Sequence, residues 1–193
     1  GRPFTIYKFR TMVDETDDTG ALLPSVQRTP PFGHRLRALS LDELPTRWDA
    51  LDAVDLIALR NLALEPLRPE QLQALQHWIA RGGRLLVTGG PNWTRYTHPY
   101  MRELVPVKVT GMVEVNTLQP LGALVGVDAP DDVRLPILRT ADIGGTVLAG
   151  TPDEALLVTQ KRGKGEVTFA AFDPGRAPLS SWSGITVLWR NLF

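Results

Sequence analysis

Residues 82–91 read Gly82-Gly-Arg-Leu-Leu-Val-Thr-Gly-Gly-Pro91. The apolar run Arg84-Leu-Leu-Val-Thr88 is short and bordered by glycine pairs, which suits a buried strand better than a helix. Just upstream, Leu72, Leu75, Trp78 and Ile79 fall on one helical face. Pro69 stands where a first helical turn tolerates it, and Gly82-Gly83 supplies the stop. Further upstream, Val54-Asp-Leu-Ile-Ala-Leu59 is a second short apolar run. Strand, helix and strand within about 35 residues predict a βαβ unit and a parallel sheet.

Downstream the pattern changes. Val107, Val109, Val113 and Val115 suggest strands broken by Pro and Gly, so residues 105 to 147 read as mostly β. Ala155-Leu-Leu-Val-Thr159 and Glu166-Val-Thr-Phe-Ala-Ala-Phe172 flank Lys161-Arg-Gly-Lys-Gly165, a hairpin signal with glycine for the turn. Residues 182 to 193 suit a helix that docks by aromatic and leucine side chains. The expected fold is α/β, with a largely parallel sheet flanked by helices and extended by β-hairpins. A polar, loop-rich segment precedes it, with a junction between about Leu44 and Val54.

Composition limits the chemistry. The 193 residues carry 21 Lys and Arg against 21 Asp and Glu, so a bulk electrostatic case for nucleic acid is absent. There is no Cys, which removes disulfides, thiolate metal sites and cysteine nucleophiles. No apolar run approaches the ~18 residues that span a bilayer. No Walker or dinucleotide-binding fingerprint occurs, and Ser180, Ser181 and Ser183 lie in a late loop with no nucleophile-elbow pattern.

The segment before the junction carries two sharp motifs. They are Gly1-Arg-Pro-Phe-Thr-Ile-Tyr-Lys-Phe-Arg-Thr-Met12 and Ser40-Leu-Asp-Glu-Leu-Pro45. In this order and at this separation they resemble the bacterial sugar transferases, the monotopic phosphoglycosyl transferases. That family moves a hexose-1-phosphate from a nucleotide sugar to polyprenyl phosphate. The resemblance implies that Asp42 is the nucleophile and that Glu43 is its partner in metal binding or proton handling, with Mg²⁺ held by both. It also implies that Lys8, Arg10, Arg28, Arg35 and Arg37 attend the phosphates, which guanidinium forks suit. On pattern alone, Ser40 to Glu43 is equally a capping box, and acidic residues in a first turn are favoured by the helix dipole.

The chain departs from the family after Pro45. It reads Thr46-Arg-Trp-Asp-Ala-Leu-Asp52, and the family's Pro-Arg-Pro motif occurs nowhere in it. The family's membrane-inserted helix has no counterpart here, and the opening at Gly1 inside a motif predicts a fragment. Phosphoryl transfer depends on positioning and electrostatics, so an acidic pair without its surroundings should do little.

From about Trp48 onward the chain resembles a class I glutamine-amidotransferase-like domain. The residues that carry this are Gly82-Gly-Arg-Leu-Leu-Val-Thr-Gly-Gly-Pro91 and Arg162-Gly-Lys-Gly-Glu-Val-Thr-Phe-Ala-Ala-Phe-Asp173. Gly89 and Gly90 match the turn that supplies oxyanion-hole N–H groups in active members. With no Cys the catalytic triad is missing, so amidotransferase activity is not expected. Among the histidines, His77 reads as a surface or boundary position. His98, in the loop Tyr96-Thr-His-Pro-Tyr100, joins Gly89 and Gly90 as a candidate ligand loop. The tip Arg162-Gly-Lys-Gly165 suits an anion or an ordinary hairpin turn.

These readings divide the chain into a partial sugar-transferase segment, 1–47, and an amidotransferase-like α/β domain, 48–193. Three functions compete: a sugar-phosphate transferase built on Asp42 and Glu43, a non-catalytic module that binds a ligand or partner, and a spliced reading frame whose parts never evolved together. The expected product is glycan initiation, with the isolated chain inactive. Nucleotide sugar and polyprenyl phosphate are the implied partners. The implied location is the cytoplasm, with the parent protein at the cytoplasmic face of the inner membrane.

Overall fold

Twelve residues from Pro69 to Ala80 form helix α1, as the apolar spacing requires. Gln71, Leu72, Ala74, Leu75, Trp78 and Ile79 are buried on one side, and His77 is exposed on the other. The computed structural model describes residues 36–39 (as backbone), 44–52, 54–60 and 67–193. Within them, α1 links strand β2 (Leu56–Leu59) to strand β3 (Arg84–Thr88), and the two strands pair in parallel. The βαβ unit is therefore present. Every residue of β2 is buried, as befits a strand covered on both faces.

Strand β1 (Leu36–Leu39) adds to the free side of β2, also in parallel, with Leu36 opposite Leu56 and Leu39 opposite Leu59. This strand comes from the N-terminal side of the junction read near residues 44 to 54. On the other side of β3 lies β8 (Gly165–Ala170), again parallel. Strands β7 (Ala155–Arg162) and β6 (Thr146–Gly150) follow as antiparallel neighbours, giving the order β1-β2-β3-β8-β7-β6. The sheet is thus parallel across β1, β2, β3 and β8, and the hairpins extend it.

The expected mostly-β middle contains one long antiparallel ribbon, β4 (Lys108–Thr117) with β5 (Asp131–Ala141). A short helix α3 (Gln119–Val125) sits at its turn and ends on Gly126, whose φ of +69° closes the helix in the left-handed region. Ahead of the ribbon are a 3₁₀ turn, Trp93–Thr97, and helix α2, Pro99–Leu104. The ribbon docks on the sheet through the Leu138 N–H, which donates to Ala171 O at 2.7 Å.

The terminal helix α4 (Gly184–Leu192) forms as expected, with Leu188 buried and Trp189 stacked on Phe193. Its last carbonyls accept from the Arg84 guanidinium, Leu192 O at 2.7 Å and Phe193 O at 3.1 Å, a cation at the negative end of the helix. The β7–β8 turn closes on Gly163 and Lys164, with Gly163 at φ +62° and the Lys164 N–H donating to Ala80 O of α1. Arg162 donates to Gln160 Oε1 and to Glu103 O in the last turn of α2. The Arg162 guanidinium and the Lys164 backbone N–H are therefore engaged within the fold. Among the described residues, no helix is long and apolar enough to cross a membrane.

Candidate functional site

Strands β1, β2, β3 and β8 run parallel in register, so their carboxyl ends share one edge of the sheet. Loops beyond that edge are where open α/β sheets gather polar side chains. Beyond β2 stands Arg60, beyond β3 stand Gly89 and Gly90, and shortly beyond β8 stands Asp173. In sequence, Asp42 and Glu43 follow shortly after β1.

Arg60 Nη2 lies 3.4 Å from Asp173 Oδ1, with side chains only 15% and 31% exposed. The pair reaches across two strand spacings, roughly 9–10 Å of sheet. The strand between them, β3, is followed by two residues without side chains, Gly89 and Gly90. The same Asp173 oxygen accepts the Gly175 N–H at 2.9 Å, which fixes the carboxylate from its own loop.

Tyr96 completes this cluster. It is 1% exposed, its ring meets Phe169 edge-on at 6.0 Å, and its hydroxyl donates to the carbonyl oxygen of Thr88. Burial pushes the phenol well above its ordinary value, and the negative charge of Asp173 adds to the rise. The hydroxyl is therefore a proton-holding donor throughout the physiological range. Arg60, Asp173 and Tyr96 were not singled out from sequence. The available signal was a charged residue directly following an apolar strand, Leu59-Arg60 and Phe172-Asp173.

The site residues read from sequence divide into two groups. Asp42, Glu43, Lys8, Arg10, Arg28 and Arg35 lie outside the described residues. Arg37 lies in β1, opposite Ile57. The glycine loop is described in full. The Gly89 N–H donates to Ala170 O at 2.7 Å and so continues the β3–β8 ladder. A Cβ at Gly89 would fall 2.4 Å from the Ala171 carbonyl oxygen, so glycine is required there for close backbone approach. His98 precedes α2, is partly buried, and packs edge-on against Tyr100 at 5.1 Å. Its Nδ1 is buried with no hydrogen-bond partner among the described residues.

The segment directly after the acidic pair is built into the core. Leu44 and Leu51 are each 2% exposed. The buried Gln71 amide donates to Leu44 O at 2.8 Å, and Trp78 Nε1 donates to Val54 O at 3.0 Å. Arg81 lies over the Trp48 ring, 4.4 Å from its centre. Helix α1 therefore holds the stretch from Leu44 to Val54 along its length.

For a divalent ion, the chemistry of the donor set is what can be judged. Asp42 and Glu43 offer carboxylate oxygens, which hard cations prefer. Among the described residues, no group of three or more His, Asp or Glu side chains gathers as a metal site.

Comparison with known proteins gives matches of two kinds. The family described as bacterial sugar transferase matches residues 1–79, which runs past Trp48, through β2 and into α1. The uncharacterized sugar transferase EpsL of Bacillus subtilis (strain 168) is 44% identical over 85 residues, which is 42% of this chain and 42% of EpsL. The match thus spans less than half the length of that relative. Among solved structures, the Cytoplasmic Protein STM3548 from Salmonella typhimurium aligns with a TM-score of 0.60 at 20% identity, covering 79% of this chain and 75% of its own. The Cytoplasmic Protein STM1381 from Salmonella typhimurium LT2 gives 0.60 and 20%, covering 82% and 76%. At that identity the likeness shows the α/β fold alone.

Proposed function

We propose that the front of this chain is the acidic-pair segment of a sugar-1-phosphate transferase, acting from a nucleotide sugar onto polyprenyl phosphate in the initiation of a glycan. The observation that carries the reading is the bacterial sugar transferase match over residues 1–79, with Asp42-Glu43 standing intact in Ser40-Leu-Asp-Glu-Leu-Pro45. In this reading Asp42 attacks the β-phosphorus and Glu43 handles the metal or the proton. Mg²⁺ would be held by Asp42 and Glu43, where it would offset the charge of the diphosphate. Lys8, Arg10, Arg28, Arg35 and Arg37 would bind the phosphate oxygens.

We further propose that these 193 residues do not complete the reaction by themselves. Two observations support this. No Pro-Arg-Pro motif is present in them. The residues that follow the acidic pair are committed to packing, with Leu44 buried and tied to Gln71. A site assembled from so few groups lacks the positioning on which phosphoryl transfer depends.

The second reading is an α/β module that binds a ligand or partner without catalysis. The half-buried Arg60–Asp173 pair and the Tyr96 hydroxyl at the carboxyl edge favour it. An amidotransferase-like ancestry fits this half, and the absence of Cys removes the nucleophile of that chemistry. Mg²⁺-dependent binding of a UDP-sugar by wild type, weakened in Asp42→Asn and Glu43→Gln, separates the two readings even where no transfer is completed. Metal-dependent binding weakened in Asp42→Asn belongs to the first alone.

A further inference from the structure

The open end of the β4–β5 ribbon, at Thr110 and residues 139–143, and the loop after β6 border an open groove of about 620 Å³. That volume lies within the roughly 300–1,000 Å³ usual for small-molecule sites. Arg139, Asp142 and Asp153 give its charged lining, and Ile143 and Pro152 give apolar surface. Thr140 stands in its wall and is 5% exposed, and its hydroxyl is buried without a hydrogen-bond partner among the described residues. A buried hydroxyl of this kind is rare in a finished fold.

The charges select the ligand class. Asp142 is answered by Lys108, whose Nζ lies 3.3 Å from its carboxylate. That leaves one exposed cation, Arg139, and one exposed carboxylate, Asp153. The balance favours neither an anion nor a cation. Donors and acceptors of both kinds beside an apolar strip suit a ring that carries hydroxyl groups on its edge and C–H bonds on its face. We propose that this groove binds a neutral sugar. Arg139 donates to its oxygens, Asp153 accepts from its hydroxyls, and Ile143 with Pro152 packs against its C–H face. None of the residues that line this groove is one the transferase reading uses, so the proposal does not depend on that reading.

The test is a heteronuclear NMR titration of the whole chain with glucose, galactose and N-acetylglucosamine, each taken into the tens of millimolar. At least one sugar should give saturable shifts centred on the amides of residues 139–143 and on Asp153. Arg139→Gln and Asp153→Asn should each weaken that binding by about tenfold or more, the loss expected for a hydrogen bond to a charged group. Both side chains are exposed, and the spectrum itself reports whether each variant keeps its fold. No saturable response to any of the three sugars overturns the proposal, as does a response unchanged in both variants. Saturation by inorganic phosphate with none by the sugars also overturns it, because the groove would then be an anion site.

Discussion

The side-chain amide of Gln71 donates to the carbonyl oxygen of Leu44 at 2.8 Å, across 27 residues of sequence and inside the core. The same side chain accepts the Arg68 N–H through Oε1 at 3.0 Å, which closes the start of α1. One residue therefore caps the helix and fixes the chain directly after the acidic pair. On the other side of that pair, β1 is fixed by its ladder with β2. The transferase motif is thus flanked by two anchors that belong to the α/β sheet.

Replacing Gln71 by Leu keeps the volume and leaves the Leu44 carbonyl buried without its donor. That should cost ~1–3 kcal/mol of unfolding free energy. Urea denaturation of Gln71→Leu should show a lowered midpoint with an unchanged slope. An unaltered midpoint would mean that α1 does not hold Leu44.

Leu75 is fully buried on the inner face of α1. Leu75→Ala removes methyl groups from a packed interior and leaves a cavity, so stability should fall by ~2–5 kcal/mol. Calorimetry checks this directly, and a melting midpoint equal to wild type would place the helix outside the core.

Much of this architecture was legible in the sequence because its signals are local. Leu72, Leu75, Trp78 and Ile79 repeat at the helical period, and Gly82-Gly83 and Gly163 mark chain reversals that few other residues permit. Helices α2 and α3 were hidden for the same reason. Each is under two and a half turns long, begins at or beside a proline, and carries too few apolar positions to set a period. The rim pair was hidden more deeply. Arg60 and Asp173 are 113 residues apart, and only the strand order brings them together. Asp42 and Glu43 were singled out through their motif and not through any local physical signal, since Ser40 to Glu43 also reads as a helix cap.

Tyr96 predicts the alkaline behaviour. Its folded pKa is raised above the unfolded value, so above about pH 10 the unfolded chain releases a proton that the native chain keeps. The stability this phenol contributes is present below that value and is lost as pH rises beyond it. Wild type should therefore lose stability more steeply above about pH 10 than Tyr96→Phe. At neutral pH the variant should be weaker by ~1 kcal/mol, because the Thr88 carbonyl loses its donor. Denaturation curves for both proteins across the alkaline range test this, and parallel curves would contradict it.

The Arg60–Asp173 pair should show energetic coupling. Its side chains are mostly buried but reach solvent at one end, so the coupling should be about 1 kcal/mol, between the exposed and buried limits. A double-mutant cycle with Arg60→Ala and Asp173→Asn measures it. Strictly additive single effects would show that the two side chains act independently.

The transfer assay tests the central claim most directly. Purified chain in detergent is given a radiolabelled UDP-sugar, polyprenyl phosphate and Mg²⁺, beside Asp42→Asn and Glu43→Gln. No lipid-linked product is expected from any of the three, because the acidic pair and its cations are not accompanied by a Pro-Arg-Pro motif in these residues. Metal-dependent product from wild type, abolished in Asp42→Asn and crippled in Glu43→Gln, would contradict the claim that these 193 residues are catalytically incomplete.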